Sequence, residues 1–234
     1  MNFGKRLSVL ADLVPPCRTV LDVGTDHAYL PVLLITEGKA ERAVAGDIGE
    51  GPCEAARRTV ALYGLGDRID VRLGSGLSVV EPGETDVIVM AGMGAATMLQ
   101  ILDGHPAVWQ SASCRTLVLQ PMSDSDRIRR WCEAEGWAIT REELAEDSHR
   151  LYEFLVLARE PGYRYPGLSY LVGDDLVKRR HPLLPVFVRR LAAKYRRQLS
   201  AMDRSETARQ SQHYAACKET IRQLEEILNG NESQ

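Results

Sequence analysis

The stretch Thr19 to Pro31 reads T-V-L-D-V-G-T-D-H-A-Y-L-P, and its centre sets two carboxylates, Asp22 and Asp26, beside His27 and a single glycine, Gly24. A turn that binds pyrophosphate is built differently: G-x-G-x-x-G exposes bare backbone N–H groups at a helix N-terminus. Carboxylates in that place repel phosphate and draw in a cationic or amine-bearing ligand. S-adenosylmethionine has that character. A further acid, Asp47, follows Gly24 by 23 positions. At the end of the second strand of a nucleotide-binding α/β fold, such a residue accepts hydrogen bonds from ribose hydroxyls. A helix N-cap is the alternative reading of the same residue.

These residues need a scaffold that ends strands beside one another. Thr19-Val20-Leu21 leads into the turn as a buried strand, and Tyr29 to about Glu37 reads as a largely buried helix with Pro31 in its first turn. The same alternation of apolar runs with helical periods recurs. Strands are expected at 42–48, 69–73, 86–90 and 115–120, with a last pair at 137–139 and 151–158 joined as a hairpin across a polar linker. A first helix over Leu7 to Val14 precedes them, and Pro15-Pro16 ends it. Seven strands, helices between the first six and an antiparallel last strand make an α/β class I, Rossmann-like methyltransferase domain over residues 1–162.

Other residues fall at the strand ends. Gly74-Ser75-Gly76 after the third strand lets backbone approach an adenine ring, or forms a plain turn. Ala91-Gly92-Met93-Gly94 follows the fourth strand, where many amino-group methyltransferases carry Asn-Pro-Pro-Tyr; Met93 packs against a ligand or fills core. Gln120 at the exit of the fifth strand is expected to face the cleft and offer a donor and an acceptor to a base edge. Lys5 and Arg6 at the start of the first helix, and Tyr152 and Glu153 at the start of the last strand, are placed to touch a substrate or to serve structure alone.

The 234 residues suit one α/β domain with a smaller appendage. Residues 1–163 carry 16 Lys/Arg against 24 Asp/Glu, whereas residues 164–234 carry 13 against 8. That basic segment, 163–234, contains two apolar seams at coiled-coil spacing: Leu184, Val188, Leu191, Tyr195 and Leu199, then Tyr214, Cys217, Ile221, Leu224 and Leu228. An α-helical coiled-coil hairpin is expected there, with Arg189, Arg190, Lys194, Arg196 and Arg197 facing outward to grip a nucleic-acid backbone or simply to solvate a helix. The five cysteines are scattered without a C-x-x-C pair, which points to free thiols, no metal site and a reducing, cytoplasmic setting. No signal-peptide core or membrane-span run is read in the chain.

The segments L-D-V-G-T-D-H-A-Y-L-P, A-G-D-I-x-x-G-P, A-G-M-G and L-Q-P together resemble the TrmK family of bacterial tRNA (adenine-N1)-methyltransferases, over nearly the whole chain. The resemblance implies methylation of N1 of adenine 22 in tRNA with S-adenosylmethionine. It implies a cofactor site on Asp22, Gly24, His27, Ala28, Asp47, Ile48, Gly74, Gly76, Ala91, Gly92 and Met93, and Asp26 as the catalytic acid residue. The chain departs from the family at Ser75, where Asp is common, at Ala95 for a second glycine, and at Met122 for an asparagine. Lys5, Arg6, Gln120, Tyr152, Arg189, Arg190 and Lys194 are then candidate tRNA contacts, on a monomer or weak dimer. The competing readings are a class I methyltransferase acting on another RNA or a small molecule, and a non-catalytic, cofactor-sensing RNA-binding protein.

Overall fold

The computed structural model describes residues 4–232; Met1–Phe3 and Ser233–Gln234, the extreme ends of the two expected domains, lie outside it. The chain divides into two compact units, residues 1–164 and 165–234.

The first unit is built on a seven-stranded sheet. In chain order it runs α1 (Lys5–Leu13), β1 (Cys17–Val23), α2 (Tyr29–Thr36), β2 (Ala40–Asp47), α3 (Glu50–Leu62), β3 (Ile69–Leu73), β4 (Val87–Met93), α4 (Ala95–Gly104), α5 (Pro106–Trp109), β5 (Thr116–Pro121), α6 (Ser125–Glu135), β6 (Trp137–Asp147) and β7 (Arg150–Arg159). The strand order is β3-β2-β1-β4-β5-β7-β6, parallel throughout the first five and with β7 antiparallel to both its neighbours. The order reverses between β1 and β4, which opens a crevice at the carboxyl ends of the strands. Register puts Val23 opposite both Gly46 and Met90, so three strand ends finish side by side there.

The central strands are buried on both faces, as their near-continuous Val, Leu and Ile runs require. Helix α2 is apolar on nearly every side, from Leu30 to Ile35, and is correspondingly sunk in the core. Pro31 is its third residue, where a backbone N–H has no intrahelical acceptor, so the proline costs no hydrogen bond.

The expected polar linker between the last two strands does not exist. Strand β6 continues through Thr140–Asp147 and meets β7 at a two-residue turn, Ser148-His149, with both residues at positive φ. The segment looks like a linker because it is rich in Glu and Arg. It is a strand because Glu142 is buried against Arg129 of α6 rather than solvated.

The second unit contains the short helices α7 (Ser169–Val172), α8 (Asp174–Lys178) and α10 (Glu206–Arg209), and the long pair α9 (Leu184–Met202) and α11 (Gln212–Glu232). The long pair is an antiparallel hairpin: Tyr214 Oη donates to Asp203 near the turn and Arg196 pairs with Glu225 further along, at 2.6 Å. Of the two apolar seams, Leu184, Val188, Cys217 and Leu224 are buried and the other residues are half-buried. Arg189, Arg190, Lys194, Arg196 and Arg197 are exposed on α9.

Candidate functional site

Two adjoining cavities meet at Gly24, at the carboxyl ends of β1, β2 and β4. The first, about 380 Å³, is lined by Gly24, Gly46, Asp47, Ile48, Gly74, Ser75, Gly76 and Met93, with Thr97, Gln100, Ile101, Gly104 and His105 as its far wall. The second, about 220 Å³, is lined by Arg6, Leu7, Leu10, Asp22, Gly24, Thr25, Asp26, His27, Tyr29, Leu30, Ala91 and Asp147.

The turn between β1 and α2 engages much of its own main chain in hydrogen bonds. The N–H groups of Gly24 and Thr25 both donate to the Gly46 carbonyl, at 2.9 and 3.0 Å, that of Ala28 donates to Thr25, and that of Asp26 donates to Asp47 Oδ2 at 3.2 Å. Four of the turn's main-chain donors are thereby engaged within the protein. Gly24 sits at φ 76°, and a Cβ there would come within 3.3 Å of the Met93 methyl. Asp26 and Ala28 also adopt the left-handed region, at φ 53° and 55°. Such strain outside glycine concentrates at functional turns.

Asp47 is the hub. Its Oδ1 accepts from Gly49 N–H at 2.9 Å and its Oδ2 from Asp26. A carboxylate offers about four lone pairs, so acceptor capacity remains on the face toward the first cavity. Beside it a Cβ on Gly74 would lie 2.8 Å from Val79, so this wall is bare main chain of necessity.

Asp22 is buried under the turn, where Thr25 Oγ1 donates to its Oδ2 at 2.7 Å. Burial pushes its carboxyl up to about 6, against the pull of the Thr25 hydroxyl, with Asp47 pushing further up and Arg6 pulling down. A carboxyl raised above its unfolded value stabilises the fold fully below about pH 4 and loses that contribution as pH climbs through 6. The loss amounts to about 3 kcal/mol. Asp22→Asn should flatten the pH dependence of the urea midpoint between pH 4 and 7. An unchanged slope would place the titration elsewhere.

Gln120 corrects its expected role. It is fully buried; its Oε1 accepts from Arg6 Nη1 at 2.8 Å and its Nε2 donates to the Pro121 carbonyl at 3.1 Å, so no base edge reaches it. It aims Arg6 instead. The Arg6 guanidinium also lies 5.7 Å from the Tyr152 ring centroid, and the Arg6 N–H donates to Asp147 at the β6–β7 turn. Arg6 thus lines the second cavity, with the Tyr152 ring beside its guanidinium. Lys5 is exposed on α1 and lines neither cavity.

Of the expected cofactor residues, Gly24, Asp47, Ile48, Gly74, Ser75, Gly76 and Met93 gather on the first cavity. Asp22, His27 and Ala91 border the second, with Asp26. Ala28 lines neither, its side chain being in the core, and Gly92 sits near Arg6 at φ 82°. Arg189, Arg190 and Lys194 belong to the other unit. The reading of the sequence missed the α4 wall, although Thr97, Gln100, Ile101 and Gly104 are spaced as one helical face. It also missed Tyr29 and Asp147. Among the described residues no cluster of three or more His, Cys, Asp or Glu side chains is set to hold a metal, and no helix is long and apolar enough to cross a membrane.

Residues 3–155 match the methyltransferase-domain family. The chain is 37% identical over 188 residues to the tRNA (adenine(22)-N(1))-methyltransferase of Bacillus subtilis, covering 77% of each chain. The solved structure of the B. subtilis m1A22 tRNA methyltransferase TrmK superposes with a TM-score of 0.86 at 29% identity, over 97% of this chain and 99% of that one. A Streptococcus pneumoniae protein, described as a candidate tRNA (m1A22) methyltransferase and solved with S-adenosyl-L-methionine, matches with a TM-score of 0.80 at 30% identity, over 96% and 99%. With its fold, its strand-end cavities and these relatives in agreement, the chain belongs to the tRNA (adenine(22)-N(1))-methyltransferase family.

Proposed function

We propose that the protein transfers a methyl group from S-adenosylmethionine to N1 of adenine 22 in tRNA, in the cytoplasm. The observation that carries this reading is the acid-rich turn at Gly24, four of whose main-chain donors are already engaged within the protein, next to a carboxylate with acceptor capacity left over. The residues fit the cofactor: Asp47 would take the ribose hydroxyls, the bare backbone at Gly74-Ser75-Gly76 would take the adenine, and the Asp22 carboxylate beneath Gly24 would take the amine-bearing end. Bound there, S-adenosylmethionine supplies an electrophilic methyl group on a sulfonium.

N1 lies on the Watson–Crick edge of adenine, so the target nucleotide must leave its stack and enter the second cavity. Adenine becomes cationic on N1-methylation. Asp26 borders that cavity with its side chain 70% exposed, and its carboxylate offsets the developing charge and takes a proton from the exocyclic amine. Arg6, fixed by Gln120, Tyr152 and Asp147, braces the opposite wall. The protein should therefore work largely by holding the base in line for attack.

The test is to react the purified protein with labelled cofactor and total tRNA or ribosomal RNA, then map the modified base. Label in N1-methyladenosine at position 22 is the expected result; label confined to ribosomal RNA, or absent, would overturn it.

The basic face of α9 supplies the grip on the tRNA backbone. Replacing Arg189, Arg190 and Lys194 together by Ala should weaken tRNA binding and reduce the slope of log affinity against log salt by about 2–3. Adenosylhomocysteine affinity should stay the same. Unchanged tRNA affinity with an unaltered salt slope would overturn the grip and favour a dimerisation role for the hairpin.

A further inference from the structure

We propose that His27 and Tyr29 form a stacking platform for the target adenine, a deepening that rests on the RNA reading above. The two rings lie face to face, with centroids 5.2 Å apart and planes inclined by 10°. Both border the second cavity. They are not core residues: Tyr29 is 41% exposed and the His27 side chain 46%. An ordered ring stack at a surface leaves part of its hydrophobic gain unrealised until something flat covers it.

The backbone is shaped to make this stack. Asp26 and Ala28 hold left-handed conformations on either side of His27. Tyr29, one residue on, is the first residue of α2 and is anchored by the buried Leu30 and Pro31 behind it. The same turn places the Asp26 carboxylate 3.6 Å from His27 Nε2, at the edge of the stack. A purine lying on these rings would therefore present its edge to Asp26. The Ala91-Gly92-Met93-Gly94 loop contributes no ring of its own.

Aromatic stacking tolerates any base, so the platform supplies affinity and orientation, while discrimination lies with the polar groups at the ring edge. Tyr29→Leu keeps a side chain of helical character but removes the ring.

The experiment compares wild type, Tyr29→Phe and Tyr29→Leu, each with intact tRNA and with tRNA carrying an abasic nucleotide at the target position. Tyr29→Leu should lower kcat/KM for intact tRNA by roughly ten- to a hundred-fold, and Tyr29→Phe far less. Adenosylhomocysteine affinity should match wild type in both, which also certifies the fold. The abasic tRNA should bind wild type and Tyr29→Leu equally, because the missing base is what the ring holds. Equal losses in the Phe and Leu variants would overturn the platform, as would a Tyr29→Leu binding deficit that persists on abasic tRNA. Failure of wild type to methylate tRNA at all would sink the parent reading instead, and wild type is measured first.

Discussion

Asp26→Asn is expected to cut the rate of methyl transfer by about 10²- to 10⁴-fold with adenosylhomocysteine and tRNA affinities essentially preserved. Asparagine is the right replacement because Asp26 sits at φ 53°, a conformation that Asn adopts at least as readily as Asp. The substitution keeps the main-chain N–H that Asp47 accepts, so the turn and the ribose-binding carboxylate stay in place. It removes one negative charge and one proton acceptor from the mouth of the second cavity. Asp26→Ala should be at least as inactive and somewhat less stable, since alanine gains nothing from the left-handed region. Single-turnover methylation separates the chemical step from product release. Comparable inactivity accompanied by lost adenosylhomocysteine binding would make Asp26 a binding residue. Near-normal turnover would leave the positive charge on the product to be met by Asp22, whose buried carboxyl lies under the same turn.

The parts of this site that sequence discloses are the parts made by backbone. Gly24, Asp47 and Gly74 are legible because each falls at the carboxyl end of a strand, where open α/β sheets bind their ligands. The parallel strands are equally plain, since residues buried on both faces give unbroken apolar runs such as Val87–Met90. What sequence hides is where a polar side chain points. Gln120 looks like a cleft residue because a glutamine is costly inside a sheet; its cost is met by Arg6, 114 positions away. Arg6 looks like a surface cation for the same reason. The β6 strand is concealed by Glu142, which reads as solvated until Arg129 is seen beside it. In each case a pair of distant polar residues cancels, and neither carries a mark of its partner.

The largest stability effect should come from that hidden partner. Arg129 is fully buried on α6; its Nη2 donates to Glu142 Oε1 and to Glu153 Oε1, each at 2.6 Å, and its Nη1 to Ser125 Oγ. Burial works against its charge, but Glu153 and Glu142 outweigh that and hold the guanidinium above its ordinary value. Arg129→Met leaves two carboxylates facing each other in a dry interior, and breaking such a network costs about 3–5 kcal/mol. Equilibrium urea unfolding should show the midpoint falling accordingly. Activity should fall beyond what stability explains, because the β6–β7 hairpin carries Asp147 and Tyr152, which hold Arg6 against the second cavity. Restoring charge balance is the decisive control. Adding Glu142→Leu and Glu153→Leu to Arg129→Met replaces the network with apolar side chains, an exchange that is often neutral or stabilising. The triple variant should regain most of the lost stability. If it is no more stable than Arg129→Met, the damage comes from lost packing rather than stranded charge. A single-variant loss below about 1 kcal/mol, the scale of an exposed ion pair, would mean that water reaches the triad and that the hairpin is held by its strand pairing alone.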